Sequence, residues 1–322
     1  MEKKKITIDL YVYNDKQVIV KWFWGMLLFE PKHMSFKNYA RKKAKKYLKN
    51  IFFADLEKEI LEDKFQISYN DEKNSVYCMK NYNSEDVVML FATIDIAIYK
   101  KNYQDIITLS SEIINIAGVC GKIQQLDDWV WQNNTDLSEY KYQNRSLEGI
   151  PLKQDSAFNN ETVVDIEKLP GYEKQIDNIW FGAAWKMWFG EPYYEFVSKE
   201  AIEKFKDCYK NEQIADNCRC ITLYEDMDDY ENPENRARQW KFKEAIDFQN
   251  VIKRLAETGI NRVNDPELEI EEGIFAHGGI RLFKGYFDNE GNIVPKSKAS
   301  KMKITEHGGD GSVLWEDEQN IL

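Results

Sequence analysis

Between Ile179 and Tyr194 the chain reads IWFGAAWKMWFGEPYY. So many rings in one short stretch (Trp180, Phe181, Trp185, Trp188, Phe189, Tyr193 and Tyr194) constrain the fold more than any other feature. Burying a side chain of this size is worth on the order of 2–3 kcal/mol, so most of the block belongs in a core. The apolar alternation suits a strand, and Gly182 and Gly190 allow a neighbouring backbone to come close or the chain to turn. Successive side chains of a strand point to opposite faces, so Trp180 and Phe181 cannot both face inward. Part of the block is therefore expected on a surface, where Trp and Tyr serve as contact anchors. Trp180, Trp185, Trp188 and Tyr193 are the candidates.

The segments C-terminal to this block carry clear local signals. Ser198 can cap a helix over 199–209, and RCITLYE reads as a strand. That strand opens into the acidic turn EDMDDYENPE. Asn232 as cap, Pro233 in the first helical position and Glu234 in the first turn then start a long helix. Its apolar side is Ala237, Trp240, Ala245, Phe248, Val251, Ile252 and Leu255, and Gly259 stops it. The carboxylates Glu225, Asp226, Asp228, Asp229, Glu231 and Glu234 form the most suggestive cluster in the chain. They can be a solvated turn, a surface for a basic partner, or oxygen ligands for a hard cation. The spacing lacks the glycine of a calcium loop, and no lysine or histidine lies close in sequence to complete a catalytic set.

Upstream, ITIDLYVY alternates as a strand, and 34–65 carries helical spacing behind Ser35. The basic run RKKAKKYLK lies on the polar side of that helix and reads as a solvated face. Val18–Phe29 is a buried strand or helix. SVYCM reads as a strand. The segment 87–118 reads as two buried helices meeting near Lys100 and Lys101, with strand as the alternative for its β-branched part. Residues 132–161 are polar and irregular, the composition of a domain junction. TVVDIEKL reads as a strand, and EGIFAH, IRLFKGYF, NIV and KMKIT make the tail β, with DNEG as a hairpin turn before a polar, glycine-rich close. The prediction is an α+β fold in two domains: a helix-rich α+β domain over 1–131, a junction over 132–161, and an α+β domain with a mainly antiparallel sheet over 162–322.

The chain has 322 residues and a net charge of −11. Residues 1–150 are close to neutral, so the negative excess sits in the second half. Such a field repels nucleic acid and anionic membranes and attracts basic proteins. No window reaches the roughly 18 apolar residues of a membrane span, and a cytosolic protein is expected. The five cysteines, Cys78, Cys120, Cys208, Cys218 and Cys220, are odd in number and irregular in spacing, which predicts reduced, buried thiols. His277 and His307 sit in the similar steps AHGG and EHGG, where paired glycines more often make a turn than a catalytic loop. No dinucleotide fingerprint, phosphate loop or zinc-protease motif is present, so no cofactor is expected.

The order WFGAAWKMWFG, a capped helix, a strand ending in LYEDMDDYENPE and a helix opening RARQWKF covers roughly residues 160–257. It resembles bacterial immunity proteins of polymorphic-toxin systems. The resemblance implies a cytosolic, acidic α+β protein that binds and blocks a toxin domain. On this reading Glu225, Asp226, Asp228, Asp229 and Glu231 pair with a basic protein partner, and exposed members of the aromatic block supply its anchor. The rival reading is a metal-dependent hydrolase using the 225–234 carboxylates with His277 or His307.

Overall fold

The computed structural model describes residues 4–38, 45–46, 48–61, 64–81, 84–155, 161–258, 268–291, 293–294, 296, 299–309 and 311–321. Its first half supplies β1 (Lys5–Tyr13), α1 (Lys16–Gly25), β2 (His33–Asn38), β3 (Lys45–Lys46), α2 (Lys49–Leu61), β4 (Lys64–Asn70), β5 (Ser75–Asn81) and β6 (Ser84–Asp95). Next come α3 (Ile96–Lys101), α4 (Tyr103–Ala117), β7 (Gly118–Gln125), α5 (Leu126–Asn133), α6 (Leu137–Tyr142), β8 (Leu152–Asp155) and β9 (Glu161–Val164). They are followed by β10 (Lys174–Ile176), β11 (Ile179–Phe181), β12 (Lys186–Gly190), α7 (Lys199–Glu203), β13 (Lys210–Ala215) and β14 (Cys218–Thr222). The chain continues through α8 (Pro233–Ala245), α9 (Phe248–Thr258), β15 (Leu268–Glu272), β16 (Arg281–Phe287), β17 (Lys301–His307) and β18 (Val313–Asn320).

The class is α+β, as the sequence predicts. A ten-stranded sheet runs in the order β13-β14-β12-β7-β1-β6-β5-β4-β2-β3. Its ladders are antiparallel, and β1 lies between β6 and β7 with Ile6 opposite both Ile94 and Gln125. The ladder passes directly from β7 to β12, pairing Ile123 with Lys186 and Cys120 with Phe189. Strands from before and after the 132–161 stretch therefore share one sheet. The last four strands make a separate antiparallel sheet in the order β15-β16-β17-β18. Among the described residues no helix is long and apolar enough to cross a membrane.

Both faces of the sheet are covered around β12. On one face the Trp188 indole donates to Ser111 Oγ of α4 at 3.1 Å. On the other, Phe189 packs against Tyr193 and against Phe242 of α8, with centroids 5.1 and 5.8 Å apart. Successive side chains of β12 thus pack on opposite faces of the sheet, and every residue from Lys186 to Gly190 is buried.

Local spacing misleads where strand pairing outweighs it. Met34 and Phe36 lie in β2, not in a helix, because β2 pairs with β4 in register Phe36 to Ile67. Ser35 bonds Ser68 across that ladder at 2.9 Å and caps nothing. The expected helix survives as α2, and part of the basic run at 41–49 lies outside the described residues. Residues 87–95 take the strand alternative as part of β6, while α3 and α4 meet at Asn102 as expected near Lys100 and Lys101. The long helix after Asn232 breaks into α8 and α9 at Asp247, whose φ of 53° no helix continues through. Gly259 lies outside the described residues. In the tail, the DNEG turn carries Gly291 at φ 87°, and the polar close forms β18 instead of a loop.

Candidate functional site

Antiparallel pairing brings the start of β1 and the ends of β6 and β7 to one edge of the sheet. The acidic turn after β14 folds over that edge. Leu223 N donates to Trp185 O at 2.8 Å, and residues Met227–Asp229 form one turn of 3-10 helix. Asp226 accepts from Asp228 N at 2.9 Å, and Asn232 accepts from Glu234 N at 2.9 Å, as its capping role predicts. The carboxylates are thus carried on backbone whose own polar groups are satisfied locally.

Turn and sheet edge enclose a cleft of about 830 Å³. Glu225, Asp226, Asp228, Asp229 and Glu234 line it, against the cations Lys100 and Arg238. Asp228 is its hub. Lys4 Nζ reaches one carboxylate oxygen at 3.2 Å and Lys100 Nζ the other at 3.3 Å, while Gln125 Nε2 also donates to it. Burial raises the Asp228 carboxyl, but the bonds and charges of the two lysines outweigh it and hold the group below the usual carboxylate range. At the periphery Glu225 accepts from the Tyr209 hydroxyl at 3.3 Å, and Glu231 pairs with Arg145 at 2.9 Å. Tyr99 and Tyr224 line the cleft, are 3% and 1% exposed, and carry hydroxyls with no hydrogen-bond partner. The Oε1 of buried Gln125 is unpartnered as well.

The structure gathers Glu225, Asp226, Asp228 and Asp229 around this cleft and sets Glu231 at its outer side. It does not bring the aromatic candidates to a surface. Trp180, Trp188 and Tyr193 are 0% exposed and Trp185 is 5% exposed. The expectation that strand alternation exposes part of the block fails because helices and 3-10 turns cover both faces. Of these rings only Trp185 borders the cleft, and its indole is engaged with Tyr224 O at 2.8 Å. The open ring there is Tyr103, 38% exposed at the start of α4.

A second charged cluster has no local signature in the sequence. Lys122 Nζ, fully buried in β7, lies 3.2 Å from Asp9 and 2.5 Å from Glu173. Glu173 also accepts from the Trp129 and Trp180 indoles, each at 2.8 Å. Burial disfavours the Lys122 charge, yet the two carboxylates prevail and raise its pKa, while burial chiefly raises that of Asp9. A third buried charge, Lys243, lies on α8 with the rings of Trp240 and Phe248 at 4.4 and 4.7 Å. It donates to the carbonyls of Leu169, Pro170 and Tyr172 at 3.1–3.4 Å, and burial pulls its pKa down to about 8.

Neither histidine stands free as a base. His277 is hydrogen bonded through Nδ1 to Glu306 at 2.9 Å and stacks on Trp315. His307 is buried, with Nε2 2.9 Å from Thr305 Oγ1. All five cysteines are free thiols; burial pushes Cys78 and Cys218 up to about 12 and Cys220 to about 11. Among the described residues no group of three or more His, Cys, Asp or Glu side chains is arranged to hold a metal ion.

No protein-family model matches the chain, and no curated protein does. Among solved structures it is similar to a Pseudomonas aeruginosa T6SS protein, PA0821, at 10% identity and a TM-score of 0.45, over 76% of this chain and 72% of that one.

Proposed function

We propose that this chain is a cytosolic, immunity-type protein that binds and neutralises a basic protein partner through the cleft between Tyr99 and Arg238. The observation that carries the reading is the cleft itself, in which, among the described residues, five carboxylates sit on capped, locally satisfied backbone against the three cations Lys4, Lys100 and Arg238. Carboxylates held in place beforehand cost a partner little ordering on binding. Their joint field, within an acidic second half, speeds encounter with a positive surface. Asp226, Asp229 and Glu234 do this steering, and Tyr103 is the ring offered beside them.

Capture from a lysate of the source cell, washed at low and high salt, identifies the partner; a basic protein retained only at low salt is the expected result. Replacing Asp226, Asp228 and Asp229 together by Asn keeps the turn's capping atoms. It should slow association with that protein about tenfold or more at low salt and flatten the salt dependence. An unchanged on-rate would sink the proposal.

A further inference from the structure

We infer that Lys186 is a carbonyl-capturing amine: a lysine that condenses with small aldehydes admitted by a cleft between α4 and the β12–β14–β13 end of the sheet. This cleft holds about 360 Å³, at the small end of ligand pockets, and shares no lining residue with the one at the acidic turn. Ile107, Thr108 and Ser111 of α4 wall one side, and Lys186, Glu212 and Cys220 the other. Strand register puts the second group together. β12 and β14 pair Lys186 with Thr222 and Trp188 with Cys220, and β13 sets Glu212 opposite Cys220. All therefore share the sheet face that Trp188 turns toward Ser111 of α4.

Among the described residues three lysines are buried, and two of them are matched. Lys122 lies between two carboxylates, and Lys243 lies among three carbonyls and the rings of Trp240 and Phe248. Lys186 is 7% exposed, donates one hydrogen bond, to Thr222 Oγ1 at 2.5 Å, and has the Trp185 ring 5.4 Å away. The two carboxylates lining its cleft are engaged elsewhere, Glu112 by Lys21 at 2.5 Å and Glu212 by Lys210 at 2.7 Å. The Cys220 thiol, pushed up to about 11, supplies no charge near neutrality. An ammonium buried without an anion in contact sheds its proton more readily. Burial accordingly lowers the Lys186 pKa, against the opposing pull of Cys220 and Glu212 and with a smaller push from Lys210. The free amine carries the lone pair that attacks a carbonyl carbon. The C–N bond forms as the C=O π pair moves to oxygen. Both amine hydrogens then leave with that oxygen as water, and a C=N bond remains, with no oxidant or reductant consumed.

The test treats the full chain with limiting propanal and cyanoborohydride near neutral pH. The reductant traps each imine as an N-propyl lysine, and peptide mass spectrometry reads every site. Lys186 should be alkylated at least about threefold faster than exposed Lys206, because a lowered pKa leaves more free amine at the same pH. Its rate should also level off at a lower pH than that of Lys206. Thr108→Trp, at an exposed position on the cleft wall, should cut the Lys186 rate by about threefold or more by narrowing the entrance, and leave Lys206 as it was. A Lys186 rate no higher than that of Lys206, or one pH profile shared by both, would overturn the inference. An unchanged Lys186 rate in Thr108→Trp would do so as well, since that variant keeps the lysine and alters only the way in. Modification confined to unfolded molecules, read as a Lys186 rate that rises with added denaturant, would equally sink it.

Discussion

A Cβ placed on Gly190 would lie 2.0 Å from the carbonyl oxygen of Gly118. The two glycines end β12 and begin β7, the strands through which the ten-stranded sheet joins its two sequence halves. The atom in the way is backbone, so no rotamer change relieves it. Gly190→Ala should therefore cost about 1–3 kcal/mol or more, the range of overpacked cores, as strand β12 is forced off β7. Denaturant unfolding reads this as a lower midpoint. A midpoint equal to wild type would mean that the strands separate freely here.

Lys122 bridges Asp9 and Glu173 without access to water. Lys122→Met leaves two carboxylates facing one another in a low-dielectric interior. Breaking a buried ionic cluster from one side costs about 3–5 kcal/mol, and the same denaturation experiment measures it. The double variant Lys122→Met with Glu173→Gln should recover part of the loss, since the Gln carbonyl still accepts from the Trp180 indole. Recovery near zero would show that the lysine's packing, not its charge, is what matters.

Lys243 gives stability a distinctive dependence on alkaline pH. Its folded pKa of about 8 lies below the 10.5 of an ordinary lysine. Between those values the unfolded chain binds the extra proton, so the stability this residue contributes rises with pH from about 8 to about 10.5 and is lost as pH falls back through 8. Buried thiols and tyrosines, whose pKa values are raised, act in the opposite sense at the upper end. The difference between wild type and Lys243→Met, followed by chemical denaturation at several pH values, isolates the lysine and should climb across this window. A flat difference would place the ammonium in contact with solvent.

Glu306 holds the turn after β15 with one oxygen, accepting from His277 N at 2.9 Å and Gly279 N at 2.7 Å. In Glu306→Ala those two amides should lose hydrogen-exchange protection, while amides of β17 and β18 keep theirs. Simultaneous loss in the strands would mean that the carboxylate supports the whole sheet.

Features that depend on local chemistry are legible in the sequence. The Asn232–Pro233–Glu234 helix start and the Ser198 cap appear as expected, because a cap needs only its near neighbours, and of the five thiols expected to be buried only Cys208 is partly exposed. The α+β class follows from alternating strands beside helical runs. Met34–Asn38 is deceptive because its apolar spacing is compatible with a helix until β4 offers it a ladder. The aromatic block deceives for a similar reason: strand alternation says that two faces exist, but not that both are covered. In the cleft, the carboxylates stand out as a run, whereas Lys4, Lys100 and Gln125 lie 103 to 224 residues from Asp228 and carry no spacing signal at all. The Lys122 cluster is equally scattered, drawing on β1, β7 and a loop.

The direct pairing of β7 with β12 also sets an order on synthesis. As the chain leaves the ribosome, β1 to β7 are available long before Lys186–Gly190 exist, and β7 waits with one edge unpaired through about sixty residues of elongation, a few seconds at ordinary rates. That nascent edge includes Cys120, whose thiol later donates to the Trp180 carbonyl. Until Lys186–Gly190 emerge, that open edge is a target for any chaperone that recognises unpaired strands.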